Sequence, residues 1–305
     1  MKNLLKSGTI AALGVAACAT VASAQDDQLK IGMTFQEMNN PYFVSMREAL
    51  MEAADGINAE VVVTDAGHDV AKQISDVEDM LQQDIDILLL NPTDSAGIES
   101  AVRMAKDAGV IVVAVDANAN GPVDTFVGSK NRDAGYLSCQ YLAEAMGGEG
   151  EVAILDGIPV VPILERVEGC KEALDEAPGI TLVDTQNGRQ DRSVALGVVE
   201  NMMQAHPDLG GIFSVNDGGA MGALAAIQGA GRDIKLTSVD GAPEAVDAIA
   251  RGTPFIETTA QFPRDQIRVG LGMALAQYWG AQVVPAEVPI DVRVVDAENA
   301  EDFAW

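Results

Sequence analysis

Histidine is almost missing from this chain, with two in 305 residues, and cysteine is scarce, with three. Aromatic side chains make up 4%, and basic residues number 19 against 46 acidic ones. Each shortage excludes something. His68 and His206 lie far apart in the chain and neither CxxC nor HExxH occurs, so no zinc site follows from a motif, and no metal or cofactor is expected. The charge deficit gives a formal net charge of -27. Nucleic-acid affinity comes largely from Lys and Arg displacing phosphate counterions, and docking on anionic lipid needs the same residues. Neither partner suits so acidic a surface. A phosphate ligand would want a glycine-rich nest, and neither GxxxxGK[ST] nor a strand-linked GxGxxG is found.

What is present is a globular composition, 48% hydrophobic, over a length that suggests two domains at about 150 residues each. The first 24 residues stand apart. Lys2 and Lys6 precede an apolar run from Ile10 through Val21, then come Ala22-Ser23-Ala24 and the polar Gln25-Asp26-Asp27. That order of charged, apolar and small residues is a secretory signal peptide, with cleavage expected after Ala24. The run is too short to span a bilayer. The alternative is a lipoprotein processing site, Val15-Ala16-Ala17-Cys18, with Cys18 lipidated. Without residues 1–24 the chain carries 17 basic and 46 acidic groups, a net charge of -29. An oxidising compartment permits a bridge between the remaining Cys139 and Cys170, but two cysteines are no disulfide framework, and buried unpaired thiols are the expectation.

β-rich runs at 29–35, 60–64, 85–90, 110–115, 125–127, 151–155, 180–184, 211–215, 234–239 and 255–260 alternate with segments of helical period. Within 70–84, Val70, Ile74, Val77 and Leu81 share one helical face. Strands this apolar, most of them followed by a helix, predict an α/β fold of doubly wound parallel sheets covered on both faces. Gly121-Pro122 and Gly128-Ser129-Lys130-Asn131 break the series, so two lobes of four or five strands are expected. The acidic tail, Asp296 to Asp302, reads as a solvated end.

Ligands of open α/β sheets bind beyond the carboxyl ends of the strands. There this sequence has Asn39-Asn40-Pro41-Tyr42-Phe43, Asn91-Pro92-Thr93-Asp94, Asp116, Asn216-Asp217, Asp240-Gly241 and Gln261. Carboxylates accept from hydroxyls, amides donate and accept, and rings pack on C–H faces, a combination that suits an uncharged polyhydroxylated ligand. Singly, each residue has a plainer role. Asp94 and Asn131 fit helix N-caps, and Phe43 shares a core stripe with Met46 and Leu50.

Together with Ala205-His206-Pro207-Asp208, these motifs resemble, in order and spacing, the periplasmic ribose-binding proteins over about Leu29 to Val295. The resemblance implies a type I periplasmic binding protein, in which two lobes joined by three crossovers close on a sugar and dock on the permease of an ABC importer. The lobes would be 28–130 plus 262–290 and 131–261 plus 291–305, in a protein expected to be monomeric. Ligand contacts carry over to Asn40, Tyr42, Phe43, Asp116, Asn216, Asp240 and Gln261. Three positions depart: one family arginine is Ala117, a second is Leu164, and a stacking phenylalanine is Gln190. Each lost arginine removes charge-assisted bonds worth roughly 1.5–3 kcal/mol. A sugar or polyol other than ribose is therefore expected, with Arg166 as a partial substitute near the pocket.

A lac-type repressor shares this core but needs a basic helix-turn-helix where the signal peptide lies. An enzyme would use Asp116 and Asp240 as a carboxylate pair, yet they come from opposite lobes and no nucleophile motif accompanies them. Presentation of the ligand to a chemoreceptor is compatible with transport.

Overall fold

The computed structural model describes residues 28–305. The expected signal peptide and the alternative lipidation at Cys18 lie outside the described residues. Two six-stranded sheets carry the fold. The first contains β1 (Lys30–Phe35), β2 (Glu60–Asp65), β3 (Ile87–Leu90), β4 (Ile111–Val115), β5 (Thr125–Ser129) and β11 (Glu287–Ile290), in the order β2-β1-β3-β4-β5-β11. The second contains β6 (Glu149–Asp156), β7 (Gly179–Asn187), β8 (Leu209–Ser214), β9 (Lys235–Asp240), β10 (Phe255–Ala260) and β12 (Arg293–Asp296), in the equivalent order β7-β6-β8-β9-β10-β12. All pairs are parallel except β10 with β12. This is the expected doubly wound class, with six strands per sheet in place of four or five.

Burial explains why the inner strands of each sheet form. In β3 all four residues are buried: Ile87 and Leu89 join the cluster under α1 (Pro41–Asp55) and α9 (Pro263–Tyr278), while Leu88 and Leu90 join the cluster under α2 (Val70–Leu81) and α3 (Glu99–Asp107). A strand covered on both faces must be apolar throughout. In the second sheet, Val152 and Ile154 face α4 (Asn131–Ala145) and α5 (Val161–Asp175). Ala153 and Leu155 face α6 (Arg192–Ala205), α7 (Asp217–Ala230) and α8 (Pro243–Ala250). The two additional strands, β11 and β12, lie at sheet edges and carry mixed sequences, Pro289 among them, which suits an edge.

Helix α2 corrects its expected stripe: Gln73, Val77 and Met80 are its buried residues, with Ile74 and Leu81 partly buried beside them. Cys139 and Cys170 also correct expectation, because they form a disulfide joining α4 to α5. These helices approach closely at two glycines: a Cβ on Gly135 would lie 1.9 Å from the Arg166 carbonyl oxygen, and one on Gly169 2.0 Å from that of Arg132. The acidic tail is solvated in part: Glu298, Asn299, Glu301 and Asp302 are exposed. Its 3-10 turn, Ala300–Asp302, buries Ala300 in the core cluster of the second sheet. Among the described residues no helix is long and apolar enough to cross a membrane.

The chain passes between the sheets three times, from β5 into α4, from β10 into α9 and from β11 into β12. Lys130 and Asp291 pair at 2.5 Å where the first and third passages run side by side. The carboxyl ends of β1, β4, β9 and β10 converge near these passages.

Candidate functional site

Between the sheets lies a cavity lined by Gln36, Asn40, Tyr42, Phe43, Asp116 and Ala117 from one side, and by Val160, Pro162, Ile163, Arg166, Gln190, Asp240 and Gln261 from the other. Only about 20 Å³ of it is open to the centres of water molecules, whereas ligand pockets commonly hold several hundred. In this arrangement of the two sheets the cavity is smaller than a sugar or polyol.

Each wall residue is placed by local chemistry. Asn40 follows β1 and caps α1, its Oδ1 accepting from the Tyr42 amide at 3.0 Å, so the plain role and the cavity role coexist. Tyr42 and Phe43 are buried, meeting edge to face at 5.3 Å between centroids, and Phe43 shares its stripe with buried Met46 and Leu50 as expected. The Tyr42 hydroxyl accepts from the Gln266 amide at 2.8 Å, and that same Gln266 nitrogen donates to Ser129 Oγ at 2.7 Å in the first passage between lobes.

Asp116 directly follows β4 at φ 70°, in the left-handed region, and Asp240 ends β9 at φ 138°. Such conformations are costly for a residue with a Cβ and concentrate at functional sites. A chain of buried amides holds Asp116: Gln73 Nε2 donates to the Asn91 carbonyl at 2.9 Å, and Asn91 Nδ2 donates to Asp116 Oδ2 at 3.1 Å. On the other side, Gln261 Nε2 donates to Asp240 Oδ1 at 2.8 Å and Arg166 Nη1 to the same oxygen at 3.2 Å. The turn after Asp240 rests on buried Asp217, which accepts from the Ser238 and Thr258 hydroxyls and from the Ala242 amide.

One guanidinium thus faces two buried carboxylates. Burial pushes Asp116 up to about 6 and Asp240 also adds to the rise, with Arg166 opposing it. Burial likewise raises Asp240 above the usual carboxylate range, opposed by Arg166. Asp217 is pushed up to about 7 by burial and by the charge of Asp240. Burial and the charge of Asp116 hold the Tyr42 phenol protonated, far above its ordinary value.

Of the nine expected contacts, the structure brings Asn40, Tyr42, Phe43, Asp116, Gln190, Asp240 and Gln261 to this cavity and leaves out two. Leu164 is 49% exposed on the outside of α5. Arg166 takes the inner place, 3% exposed, with Nε donating to Asn131 Oδ1 at 2.9 Å and Nη1 to the Val215 carbonyl at 2.8 Å. The helical period is the reason: positions 162, 163 and 166 share a face, and 164 points away from it. Asn131 correspondingly is no cap, since its side chain holds Arg166 and the Ser129 carbonyl. Asp94 does cap a turn, accepting from the amides of Ala96 and Gly97. Asn216 is the N-cap of α7, bonded to the Gly219 amide at 2.9 Å, and its Nδ2 is buried without a partner among the described residues. A Cβ placed on Gly218 would meet that nitrogen at 3.1 Å and the Gln190 carbonyl at 3.2 Å. Gln190 itself sits at φ 57° and accepts from the Ile158 amide at 3.3 Å.

The histidines stand away from the cavity, His68 beside Glu37 at 3.3 Å and His206 beside Asp184 at 3.5 Å. No cluster among the described residues could hold a metal ion. A buried cavity between two lobes, walled by amides, carboxylates, one guanidinium and two rings, defines a binding protein for polar solutes. The chain belongs to the family described as periplasmic binding protein domain, whose pattern matches residues 31–281. It is 37% identical over 243 residues to the ribose import binding protein of Bacillus subtilis, covering 79% of each chain. Solved structures agree. An ABC transporter periplasmic solute binding protein from Actinobacillus succinogenes with bound D-allose superposes with TM-score 0.85 at 30% identity, over 90% of this chain and 100% of that one. One from Mycobacterium smegmatis with bound glycerol gives 0.86 at 31%, over 90% and 96%.

Proposed function

We propose that the chain is the solute-receiving component of an ABC importer, closing its lobes on one monosaccharide or polyol and delivering it to a membrane permease. The carrying observation is the pairing of Asp116 and Asp240 across the cavity, each strained, buried and only partly engaged by protein donors. Both side-chain bonds to Asp240, from Arg166 and Gln261, end on Oδ1, and Oδ2 would accept from a ligand hydroxyl. Arg166 supplies a further donor to ring or hydroxyl oxygens, and Tyr42 with Phe43 the C–H contact surface; Asn216 stands outside the cavity lining, and its unpartnered Nδ2 is the amide donor that a solute reaching past that lining would meet. The ribose, D-allose and glycerol ligands of the relatives support the class of solute.

Within that class the ligand differs from ribose. Arg166 restores one of the two guanidinium groups, so the difference rests on Ala117, which is buried and offers nothing to a hydroxyl. An unsatisfied hydroxyl there costs about 1–3 kcal/mol. A deoxy sugar, a branched pentose or a polyol with an apolar edge on that side meets the wall without loss. Catalysis forms no part of the reading. The lobes are 28–130 plus 262–290 and 131–261 plus 291–305, the signal is cleaved after Ala24 rather than lipidated at Cys18, and the mature monomer works in the periplasm. Oxidation of Cys139 with Cys170 supports that compartment. Presentation to a chemoreceptor is the second use the same closed form would permit.

A thermal-shift screen of mature protein against pentoses, hexoses, deoxy sugars and polyols tests the proposal. A ligand at 100 times its dissociation constant stabilises by about 2.7 kcal/mol, several degrees for a chain of this size. No shift with any member contradicts the function, and sub-micromolar binding of ribose contradicts the claim about ligand identity.

A further inference from the structure

The last three residues connect what the three passages leave separate. From β12 and the turn at Ala300–Asp302, the chain sets Phe303 against the core cluster of the second sheet and Trp305 against that of the first. Phe303 lies edge to face on Phe262, at the second passage, and the Arg293 guanidinium sits 4.9 Å from the Phe303 ring centroid. Beyond it, the Trp305 ring meets Tyr42 edge to face, centroids 5.7 Å apart and planes at 81°, while Trp305 Nε1 donates to the Asp240 carbonyl at 3.1 Å. Its two partners are the residues that line the cavity from opposite lobes. Tyr42 lies in the first turn of α1 of the first lobe, and Asp240 is the strained last residue of β9 of the second.

We propose that Trp305 is a positioning residue, a fourth tie between the lobes that favours their closed arrangement and so sets ligand affinity and residence time. This rests on the reading of the cavity as the solute site, but Trp305 touches the walls and takes no place in the cavity lining. Opening the lobes must break either the ring contact or the hydrogen bond, because one indole cannot follow Tyr42 and Asp240 in opposite directions. The tie therefore acts only on closure. Losing it shortens residence time and raises the dissociation constant by about tenfold, the combined worth of one neutral hydrogen bond and one ring pair.

The test has a ligand-free arm and a ligand arm. Spin labels at Glu78→Cys and Glu200→Cys, exposed positions in the first and second lobe, report the interlobe distance of the mature protein. Trp305→Ala is expected to shift the distance distribution of the free protein to longer values, and Trp305→Phe, which keeps a ring and loses the donor, to fall between. Distributions that superimpose for all three overturn the proposal. In the second arm, D-ribose, D-allose, xylitol and myo-inositol are added as probes, and dissociation of whichever binds is followed by stopped flow. Faster release from Trp305→Ala with an unchanged association rate agrees, and equal release rates overturn it. Failure of every probe to bind the unsubstituted protein would count against the solute reading, with the label distances still deciding the role of Trp305.

Discussion

Replacing Asp116 by asparagine should make the ligand-free protein more stable and the binding site worse. Asp116 is 7% exposed, and burial lifts its carboxyl from 3.8 to about 6. A raised acid favours the fold fully below the unfolded value of 3.8, and that contribution is lost as pH rises through about 6. At pH 7 the folded protein therefore holds an ionised group that burial disfavours by about 3 kcal/mol, at about 1.36 kcal/mol for each pH unit of that rise. The amide of Asp116→Asn would keep an oxygen to accept from Asn91 Nδ2, now 3.1 Å from Asp116 Oδ2, and would carry no charge. The variant is expected to melt about 5 °C higher at pH 7. Its advantage should shrink toward zero near pH 4, and its affinity for the wild-type ligand should fall at least tenfold. Melting temperatures of the two proteins measured from pH 4 to 8 check this. A variant less stable than wild type at pH 7, or a gap independent of pH, would refute the reasoning.

Arg166→Ala removes the cation that, among the described residues, faces Asp116 and Asp240, so binding should weaken at least a hundredfold in calorimetry, and Arg166→Lys should not restore it, because an ammonium cannot reproduce the fork to Asn131, Val215 and Asp240. Leu164→Ala, on the outer face of the same helix, should leave the dissociation constant unchanged; a loss there would return Leu164 to the ligand contacts. Reduction of Cys139–Cys170, which closes a loop of 31 residues, should cost about 3–4 kcal/mol in denaturant unfolding, with no change in which solute is bound. Gly135→Ala drives a methyl into the Arg166 carbonyl. It should lower both melting temperature and affinity, because the same displacement that separates α4 from α5 moves the guanidinium.

The inner strands were legible because burial on both faces forces an apolar run, as in Ile87–Leu90, and the edge strand β2 because Val61, Val62 and Val63 still pack against the two flanking core clusters. Glu287–Ile290 and Arg293–Asp296 were not, since each is a four-residue edge strand of mixed polar and apolar residues with no run to mark it. The strand-end residues Asp116, Asp240 and Gln261 could be read from position alone, as the fold delivers every such end to the cleft. Arg166 could not be fixed by a residue-by-residue match across the loop that precedes α5. Its signal was the period of α5, which sets Pro162, Ile163 and Arg166 on one face and Leu164 on another. Gln73, Asn131 and Gln266 act through buried side-chain bonds between distant segments, and no local pattern encodes those. Trp305 belongs with them, and nothing near it in sequence points to Tyr42.

Central to the proposed function is a polar solute held between Asp116 and Asp240. Isothermal titration of the mature protein, and of Asp240→Ala, against the most stabilising sugar or polyol from the thermal screen measures this directly. The expected result is one site per chain, and at least tenfold weaker binding in a variant that still unfolds cooperatively. An unchanged dissociation constant in folded Asp240→Ala would contradict it.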